Sequence, residues 1–225
     1  MNSSPIIILM ARWHGASRCK KRLSETIGIE NAARIQNKLT KHTLEIATSI
    51  QLKGLAEIHL ALSGSSTNEC RRIQLNQKFF KVHTQGKGNL GVRLKKQILK
   101  VKKTRIYPHR VRRRNTIIIG TDLPTLCEKD LLEASLALEN KDLVLGPSTD
   151  GGYWLIGFSR KLASDLPSWP FCGIKWGTKS VFRTTLNKAK EKNVSFHLLR
   201  EQNDLDKIED LSPWLRHNQT QNLAL

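Results

Sequence analysis

Short, almost wholly apolar runs recur along this chain, and they constrain its fold more than any other feature. Ile6–Met10 and Thr116–Gly120 are rich in β-branched residues and carry no charge. Such runs are typical of strands buried on both faces of a parallel sheet. Leu143–Leu145, Tyr153–Phe158 and Val194–Leu199 have a similar character. Stretches with helical spacing separate these runs, so the sequence predicts an α/β fold, a three-layer sandwich with a mostly parallel central sheet.

Helical periodicity is clearest from about Glu30 to Leu52, where apolar residues repeat on one face. Thr125 and Glu128 have capping-box spacing and predict the start of another helix. The helix that begins there is expected to run through Glu139. Further helices are expected at Val92–Lys102, Thr178–Lys192 and Asp206–Arg216, and further strands at Ala56–Leu62 and Phe79–Val82. We expect one domain over residues 1–217 and a polar tail at residues 218–225, because no linker or repeat interrupts the pattern.

Positive charge is concentrated in one part of the sequence. The chain has 38 Lys and Arg against 19 Asp and Glu, a net charge of +19. No acid occurs from Cys70 to Thr121, whereas sixteen Lys or Arg fall there. Such a block attracts phosphates, nucleic acid or acidic lipid, but charge runs are usually solvated, and a solvated basic surface is the favoured alternative. Only three aromatic residues accompany these cations, which disfavours a base-stacking nucleic-acid module.

Several classes of protein are excluded by simpler features. The longest apolar run, Pro5–Ala11, is far shorter than the roughly 20 residues of a membrane span. No basic residue precedes it and Arg12 follows at once, so it is a poor secretory signal and a cytoplasmic protein is expected. The four cysteines are scattered without paired spacing, which indicates neither a zinc site nor a disulfide framework.

Two glycine-bearing, basic segments are candidates for binding a nucleotide. Ligands of open parallel sheets bind beyond the carboxyl ends of the strands, so the segment after the first strand, with Arg12, Lys20 and Arg22, suits a polyphosphate. The alternative is an exposed basic loop. The segment from Gln85 to Arg93 has three glycines that allow close approach of a ligand, although glycine-rich turns are common.

Carboxylates follow the later strands. Asp122 comes directly after Thr116–Gly120 and is placed either to bind Mg²⁺ or to cap the next turn. Asp150 precedes two glycines, in a turn that could hold a small molecule or simply join a β-hairpin. Asp204 and Asp206 add two carboxylates near the last predicted helix, where they could equally be N-terminal helix charges.

Taken in order, these segments resemble the DUF2064 family of cytosolic GT-A-like transferases, often labelled glycosyltransferases of arsenosugar biosynthesis. The chain is more distantly similar to nucleotidyltransferases such as the molybdenum-cofactor and phospholactate guanylyltransferases. Five blocks carry the resemblance: Arg12 with Lys20, Arg22 and Leu23 for R…K-T-R-L, Gln85–Arg93 for Q-G-x-G-D-L-G-x-R, Ile119–Pro124 for I-G-S-D-x-P, Leu145–Gly157 for L-G-P-x-x-D-G-G-Y-Y-L-I-G, and Asp204–Leu211 for D-I-D-T-P-E-D-L.

The chain departs from the family pattern at a few positions. Asn89 replaces the acid of the glycine-rich loop, and Lys21 replaces a threonine. Lys207 and Ile208 replace the Thr-Pro pair near the end. The carboxylates at Asp122, Asp150 and Asp206 are retained. A degenerate, inactive transferase is therefore one alternative.

The resemblance implies a GT-A fold and a metal-assisted glycosyltransferase that uses a nucleotide-sugar donor and a small-molecule acceptor. It implies that cationic side chains hold the diphosphate, namely Arg12, Lys20 and Arg22. It implies that one loop closes over the nucleoside with Gln85, Gly86, Gly88, Asn89 and Arg93. It implies that Asp122 binds Mg²⁺ or Mn²⁺, with Asp206 or Asp204 as second ligand. Acceptor contacts would come from Asp150, Gly151, Gly152 and Tyr153, with Asp150 as a possible general base. The runner-up is a nucleotidyltransferase that releases pyrophosphate.

Overall fold

A seven-stranded sheet forms the centre of the molecule, with helices on both faces. The computed structural model describes residues 4–12, 20–77, 79–102 and 114–211. The strands are β1 (Ile6–Arg12), β2 (Glu57–Ser63), β3 (Lys81–Thr84), β4 (Thr116–Gly120), β5 (Leu143–Pro147), β6 (Tyr153–Phe158) and β7 (Phe196–Leu198). The helices are α1 (Lys21–Ile27), α2 (Ile29–Leu52), α3 (Thr67–Asn76), α4 (Leu90–Lys102), α5 (Glu128–Ala137), α6 (Arg160–Asp165) and α7 (Val181–Glu191).

The order of the strands across the sheet is β3-β2-β1-β4-β6-β5-β7. Strand β6 runs antiparallel to both of its neighbours, and every other pairing between the named strands is parallel. The chain steps outward from β1 to β3 and then returns to place β4 on the other side of β1. This reversal between β1 and β4 is the point at which open α/β sheets bind ligands.

Alternation along β1 shows how the three layers are built. Ile7 and Leu9 face a core with α2, α3 and α5, whereas Ile6 and Ile8 face a core with α4, α6 and α7. All four side chains are buried, because helices cover both faces of the sheet. The prediction of a three-layer α/β sandwich with a mostly parallel sheet is confirmed.

Several details differ from the sequence prediction. Helices α1, α3 and α6 were not predicted. Helix α5 begins at Glu128, and its capping box pairs Cys127 with Asp130 rather than Thr125 with Glu128. Where a helix was predicted from Asp206, the described chain forms only a short 3-10 turn, Ile208–Asp210, before Leu211. Residues 212–225, including the predicted tail, lie outside the described ranges. None of the described helices combines the length and apolarity of a membrane span.

Candidate active site

The carboxyl ends of β1 and β4 open onto a cavity of about 270 Å³. Arg12 is the last residue of β1, and Asp122 lies two residues beyond β4. Both side chains line this cavity together with Gln85, Arg93 and Tyr153. The cavity therefore lies at the reversal of strand order, where the sequence predicted the ligand.

Gln85 fixes the local geometry of this cavity. Its side chain is buried, and its Nε2 donates to the main-chain oxygens of Ala11 at 3.0 Å and Ala61 at 2.9 Å. Its Oε1 accepts a hydrogen bond from Arg93 Nη1 at 2.8 Å. Gln85 thus ties the ends of β1 and β2 together and orients a guanidinium group, instead of presenting both ends of its amide to a base or ribose.

Two guanidinium groups lie close together at this end of the site. Burial lowers the pKa of Arg93, and the positive charge of Arg12 lowers it further. Arg93 Nε is buried and has no hydrogen-bond partner among the described residues. A pair of cations that repel each other in a partly buried cleft is typical of an anion-binding site, because a bound anion relieves the repulsion.

The glycine-rich segment turns the chain from β3 into α4. Gly86 and Gly88 have φ values of +78° and +121°, which favour glycine, and both are exposed. Asn89 caps the helix, since its Oδ1 accepts a hydrogen bond from Val92 N at 3.0 Å. Asn and Asp are about equally good helix caps. The replacement of the family's acid by Asn89 therefore keeps this local structure.

Carboxylates and one lysine meet beside the end of β4. Lys20 Nζ lies 3.4 Å from Asp122 Oδ1 and 3.5 Å from Asp206 Oδ1. Gln36 Nε2, from the buried face of α2, donates to the same Asp122 oxygen at 2.8 Å. The main chain is also joined here, because Leu205 N donates to Asp122 O at 3.1 Å. Segments from the start, middle and end of the described chain thus converge on Asp122.

Lys20 itself is almost fully buried, with its side chain 2% exposed, whereas the two carboxylates are 41% and 45% exposed. Its backbone has a φ of 48°, in the left-handed region that is uncommon for lysine. In this structure the ammonium group of Lys20 is therefore engaged by carboxylates. The sequence predicted a phosphate contact for Lys20 and did not predict this ion pair.

The Asp150 turn joins β5 to β6 and also lines the cleft. Gly152 N donates to Asp150 Oδ1 at 2.7 Å, and Gly151 N donates to Ser148 O at 3.0 Å. Gly151 has a φ of +87°, and a Cβ there would lie 2.2 Å from the main-chain oxygen of Lys179. The turn joins the antiparallel strands β5 and β6 as a hairpin, and its exposed carboxylate also borders a cavity of about 280 Å³.

Asp204 adds a further carboxylate to this cavity. Ser148 Oγ donates to Asp204 Oδ1 at 2.6 Å. Burial raises the pKa of Asp204, and the negative charges of Asp150 and Asp206 raise it further, although the Ser148 hydrogen bond opposes the shift. The negative charges of Asp150 and Asp206 thus act on Asp204, and such repulsion between carboxylates favours a bound cation.

The cavities described above adjoin one another. Leu90, Gly120, Asp122, Tyr153 and Trp154 line both the Arg93 cavity and the Asp150 cavity. A third cavity, of about 310 Å³, continues from Asp150 and Asp204 to Arg22 and Lys207. We call these three adjoining cavities the active-site cleft. All the cationic and carboxylate residues predicted for the site line this cleft, apart from Lys20, which is buried beneath it.

Tyr153 and Trp176 form part of the wall of the cleft. Their rings meet edge to face, with centroids 6.3 Å apart. The hydroxyl of Tyr153 is buried without a hydrogen-bond partner among the described residues, and burial raises the pKa of this phenol. Gly91 allows Trp176 to approach α4, since a Cβ there would lie 2.7 Å from Trp176 Nε1.

Sequence reasoning missed Gln36, Ser148 and Trp176. Gln36 could have been noticed, because it is a polar residue on the apolar face of α2 between Ala32 and Leu39. The described residues contain no group of three or more His, Cys, Asp or Glu side chains arranged to hold a metal ion.

Solved structures share this fold. A protein of Desulfovibrio desulfuricans G20, provisionally named a nucleotide-diphospho-sugar transferase, is 24% identical, covers 97% of this chain and 88% of its own, and has a TM-score of 0.79. The inositol-1-phosphate CTP transferase of T. maritima is 13% identical, with 96% and 95% covered and a TM-score of 0.56. The Rv0371c protein of Mycobacterium tuberculosis H37Rv, solved as a complex with manganese, is 12% identical, with 96% and 100% covered and a TM-score of 0.52.

These similarities show that the chain has a nucleotide-diphospho-sugar transferase-like fold, and transferases are among the proteins that share it. No curated protein is significantly similar to the chain in sequence. A family described as an uncharacterized protein conserved in bacteria, DUF2064, matches residues 46–178, which is more than half of the 225 residues. The resemblance noted in the sequence is therefore confirmed, and the chain belongs to the DUF2064 family.

Proposed function

We propose that this protein is a metal-assisted glycosyltransferase that moves a sugar from a nucleotide-diphosphate donor to a small-molecule acceptor. The position of Asp122 carries the proposal. Its side chain lines the cavity that holds Arg12 and Arg93, and it also lines the cavity that holds Asp150. A donor diphosphate and an acceptor hydroxyl bound in these adjoining cavities would therefore meet beside one carboxylate.

The donor would bind at the cationic end of the cleft. Arg12 and Arg93 suit a diphosphate, because guanidinium groups donate paired hydrogen bonds to phosphate oxygens. Gln85 holds Arg93 in place. Gly86, Gly88 and Asn89 do not line the three cavities, so these residues would contact the nucleoside only from the exposed turn above Gln85 and Arg93. Arg22 would complete the phosphate contacts from the side of α1, whereas Lys20, buried against Asp122 and Asp206, would hold these carboxylates in place.

The carboxylates suit a divalent cation. Oxygen donors from one or two aspartates, together with phosphate oxygens, are the ligands that Mg²⁺ and Mn²⁺ prefer. Asp122 and Asp206 both contact Lys20 Nζ, and each does so through its Oδ1 atom. Gln36 also donates to Oδ1 of Asp122. Asp122 and Asp206 would hold the ion, with Asp204 beside them. When bound, such an ion neutralises charge that develops on the leaving diphosphate.

The acceptor would lie against the Asp150 turn. The exposed carboxylate of Asp150 can accept a hydrogen bond from an acceptor hydroxyl and take its proton as the sugar is transferred. Gly151 and Gly152 keep the main chain of this turn free of side chains, and Tyr153 closes the inner wall. Asp150 is therefore the proposed general base.

A nucleotidyltransferase is the second candidate, and the shared fold of the inositol-1-phosphate CTP transferase of T. maritima supports it. Such an enzyme would bind a nucleoside triphosphate in the same cleft, and an oxygen of the second substrate would attack its α-phosphorus and displace pyrophosphate. The products separate the two candidates, because a glycosyltransferase releases a nucleoside diphosphate and a nucleotidyltransferase releases pyrophosphate. Release of pyrophosphate would establish the second candidate in place of the first.

Binding can be tested before any acceptor is known. Thermal unfolding is measured with UDP, GDP, ADP and CDP, each with and without Mg²⁺ or Mn²⁺. At least one diphosphate should raise the melting temperature only when the divalent ion is present, because ligands that bind the native state stabilise it. The absence of a shift with every nucleotide would contradict the proposed function.

The role of Asp122 is tested by Asp122→Asn, with Asp165→Asn, at an exposed position of α6, as the matched control. Removing a group that stabilises transition-state charge costs about 10²-fold or more in rate. Asp122→Asn should therefore lose metal-dependent turnover while it keeps the circular dichroism spectrum of the wild type. Asp165→Asn should keep full activity. Retained turnover in Asp122→Asn would remove this residue from the site.

A further inference from the structure

A further cavity, separate from the active-site cleft, lies at the edge of the sheet beside β3. Its volume is about 570 Å³, within the range of roughly 300–1,000 Å³ that small-molecule pockets occupy. It shares no lining residue with the three cavities of the cleft. We call it the edge cavity, and its lining comes from β2, β3, α3 and α4. The residues used below are His59, Arg71, Lys81, His83 and Lys100.

Two buried imidazoles line the edge cavity. His59 and His83 are 3% and 8% exposed, and their rings meet edge to face with centroids 5.5 Å apart. His59 Nδ1 and His83 Nε2 are both buried, and neither has a hydrogen bond of normal geometry in the described part of the chain, although the side chain of Gln97 lies close enough to His83 to oppose the lowering of its pKa by burial. A buried polar atom without a partner typically costs about 1–3 kcal/mol, so two such atoms in one cavity call for an explanation.

The free nitrogen of His59 is an acceptor. The other ring nitrogen of His59, Nε2, lies 2.9 Å from Glu57 Oε1. A carboxylate can only accept, so in the neutral ring Nε2 carries the proton and Nδ1 presents a lone pair. The group that satisfies His59 Nδ1 must therefore bring its own hydrogen, as a hydroxyl does.

Cations surround the same cavity. Arg71, Lys81 and Lys100 come from α3, β3 and α4. Lys81 is paired with Glu57 at 2.7 Å, whereas no described carboxylate forms an ion pair with Arg71 or Lys100 within 4.0 Å. Arg71 and Lys100 are both exposed, and partial burial lowers the pKa of Lys100.

We propose that the edge cavity binds a phosphorylated sugar or polyol, whose phosphate lies between Arg71 and Lys100 and whose hydroxyl groups reach His59 and His83. A phosphate ester supplies both things that this cavity lacks, which are negative charge and hydroxyl donors. Inorganic phosphate supplies only the first, and a neutral sugar supplies only the second. The proposal does not depend on the function assigned to the active-site cleft.

The test uses isothermal titration calorimetry on the full chain with glucose 6-phosphate, glucose and inorganic phosphate. Glucose 6-phosphate should bind more tightly than either of the other two. Lys100→Met should weaken its binding roughly tenfold, the usual effect of removing one charge-assisted hydrogen bond. Lys95→Met, which changes a lysine of the same helix outside the cavity, should have no effect.

The cleft also attracts phosphate, so Arg93→Met serves as the second control. Binding of glucose 6-phosphate should survive Arg93→Met, and it should shift the NMR signals of the His59 and His83 rings. Loss of binding in Arg93→Met but not in Lys100→Met would place the phosphate in the cleft and overturn the proposal. Equal affinity for inorganic phosphate and glucose 6-phosphate, or no binding of the ester, would overturn it as well.

Discussion

Substitution of one glycine, Gly151→Ala, should destabilise the whole fold through the turn that carries Asp150. The φ of +87° costs an L-residue about 1–2 kcal/mol. The added Cβ would also lie 2.2 Å from Lys179 O and 2.6 Å from Lys179 C, so backbone must move. Overpacking of this kind costs about 1–3 kcal/mol. The expected total is about 2–5 kcal/mol, measured as the free energy of unfolding in urea.

Gly54→Ala is the matched control for this experiment. Gly54 has a φ of +70°, and nothing lies within 4 Å of the position that its Cβ would take. It should therefore lose only the backbone contribution, about 1–2 kcal/mol. For a chain of this length each 1 kcal/mol lowers the melting temperature by roughly 2–4 °C. Equal destabilisation in the two variants would show that the close approach to Lys179 has no energetic consequence, and the reasoning would fail.

Three further predictions concern titrating groups. Burial raises the pKa of Asp130, but the hydrogen bonds that its carboxylate accepts from Arg200 and from the main chain outweigh burial and lower it. Asp130→Asn should therefore lower the free energy of unfolding in urea by roughly 2 kcal/mol at pH 7, and by less near pH 3, where the carboxylate begins to protonate. Burial lowers the pKa of His83 to about 3. The stability contributed by the neutral, buried ring should therefore be lost as the pH falls from about 6.5 to about 3, and His83→Phe should flatten the pH dependence of the free energy of unfolding over this range. Asp150→Asn should lower the pKa of Asp204, measured by carboxyl ¹³C NMR titration.

Each of these predictions can be contradicted. Equal destabilisation of Asp130→Asn at both pH values would show that its carboxylate charge contributes nothing to the fold. A His83→Phe variant that loses stability with acid as steeply as the wild type would assign that loss to other groups. An unchanged Asp204 titration in Asp150→Asn would show that the two carboxylates do not interact across the cleft.

The layers of the fold were predictable because a strand buried on both faces leaves a short apolar run, and its length and β-branched residues distinguish it from a buried helix. The composition of β6 does not give its direction, since a buried strand has the same composition whether it runs parallel or antiparallel. The hairpin alternative for the Asp150 turn was the one sequence signal that β6 runs antiparallel to β5. Helix α3 was missed because it buries little of its surface, and Cys70 is its only buried residue. Its start was nevertheless encoded, because Ser66 and Glu69 form a full capping box.

The residues of the candidate site likewise include some that the sequence predicts and some that it does not. Asp122 and Arg12 could be found from the sequence, because a position just after a strand is local information and the rim of a parallel sheet is shared. The partners of Asp122 could not be found, since Lys20, Gln36 and Leu205 reach it only through the tertiary fold. Sequence spacing predicts which elements end at the rim, but not which opposite charges neutralise one another there.

The contacts that Lys20 makes with Asp122 and Asp206 have a consequence for folding during translation. Translation delivers Lys20 to the growing polypeptide long before Asp206, and 185 residues separate Lys20 from Leu205, whose main-chain oxygen Lys20 Nζ also contacts. During that interval Lys20 and Asp122 lack the segment that completes their ion-pair cluster. A nascent polypeptide can therefore form its central strands on the ribosome before Lys20 and Asp122 gain their contacts with Asp206 and Leu205.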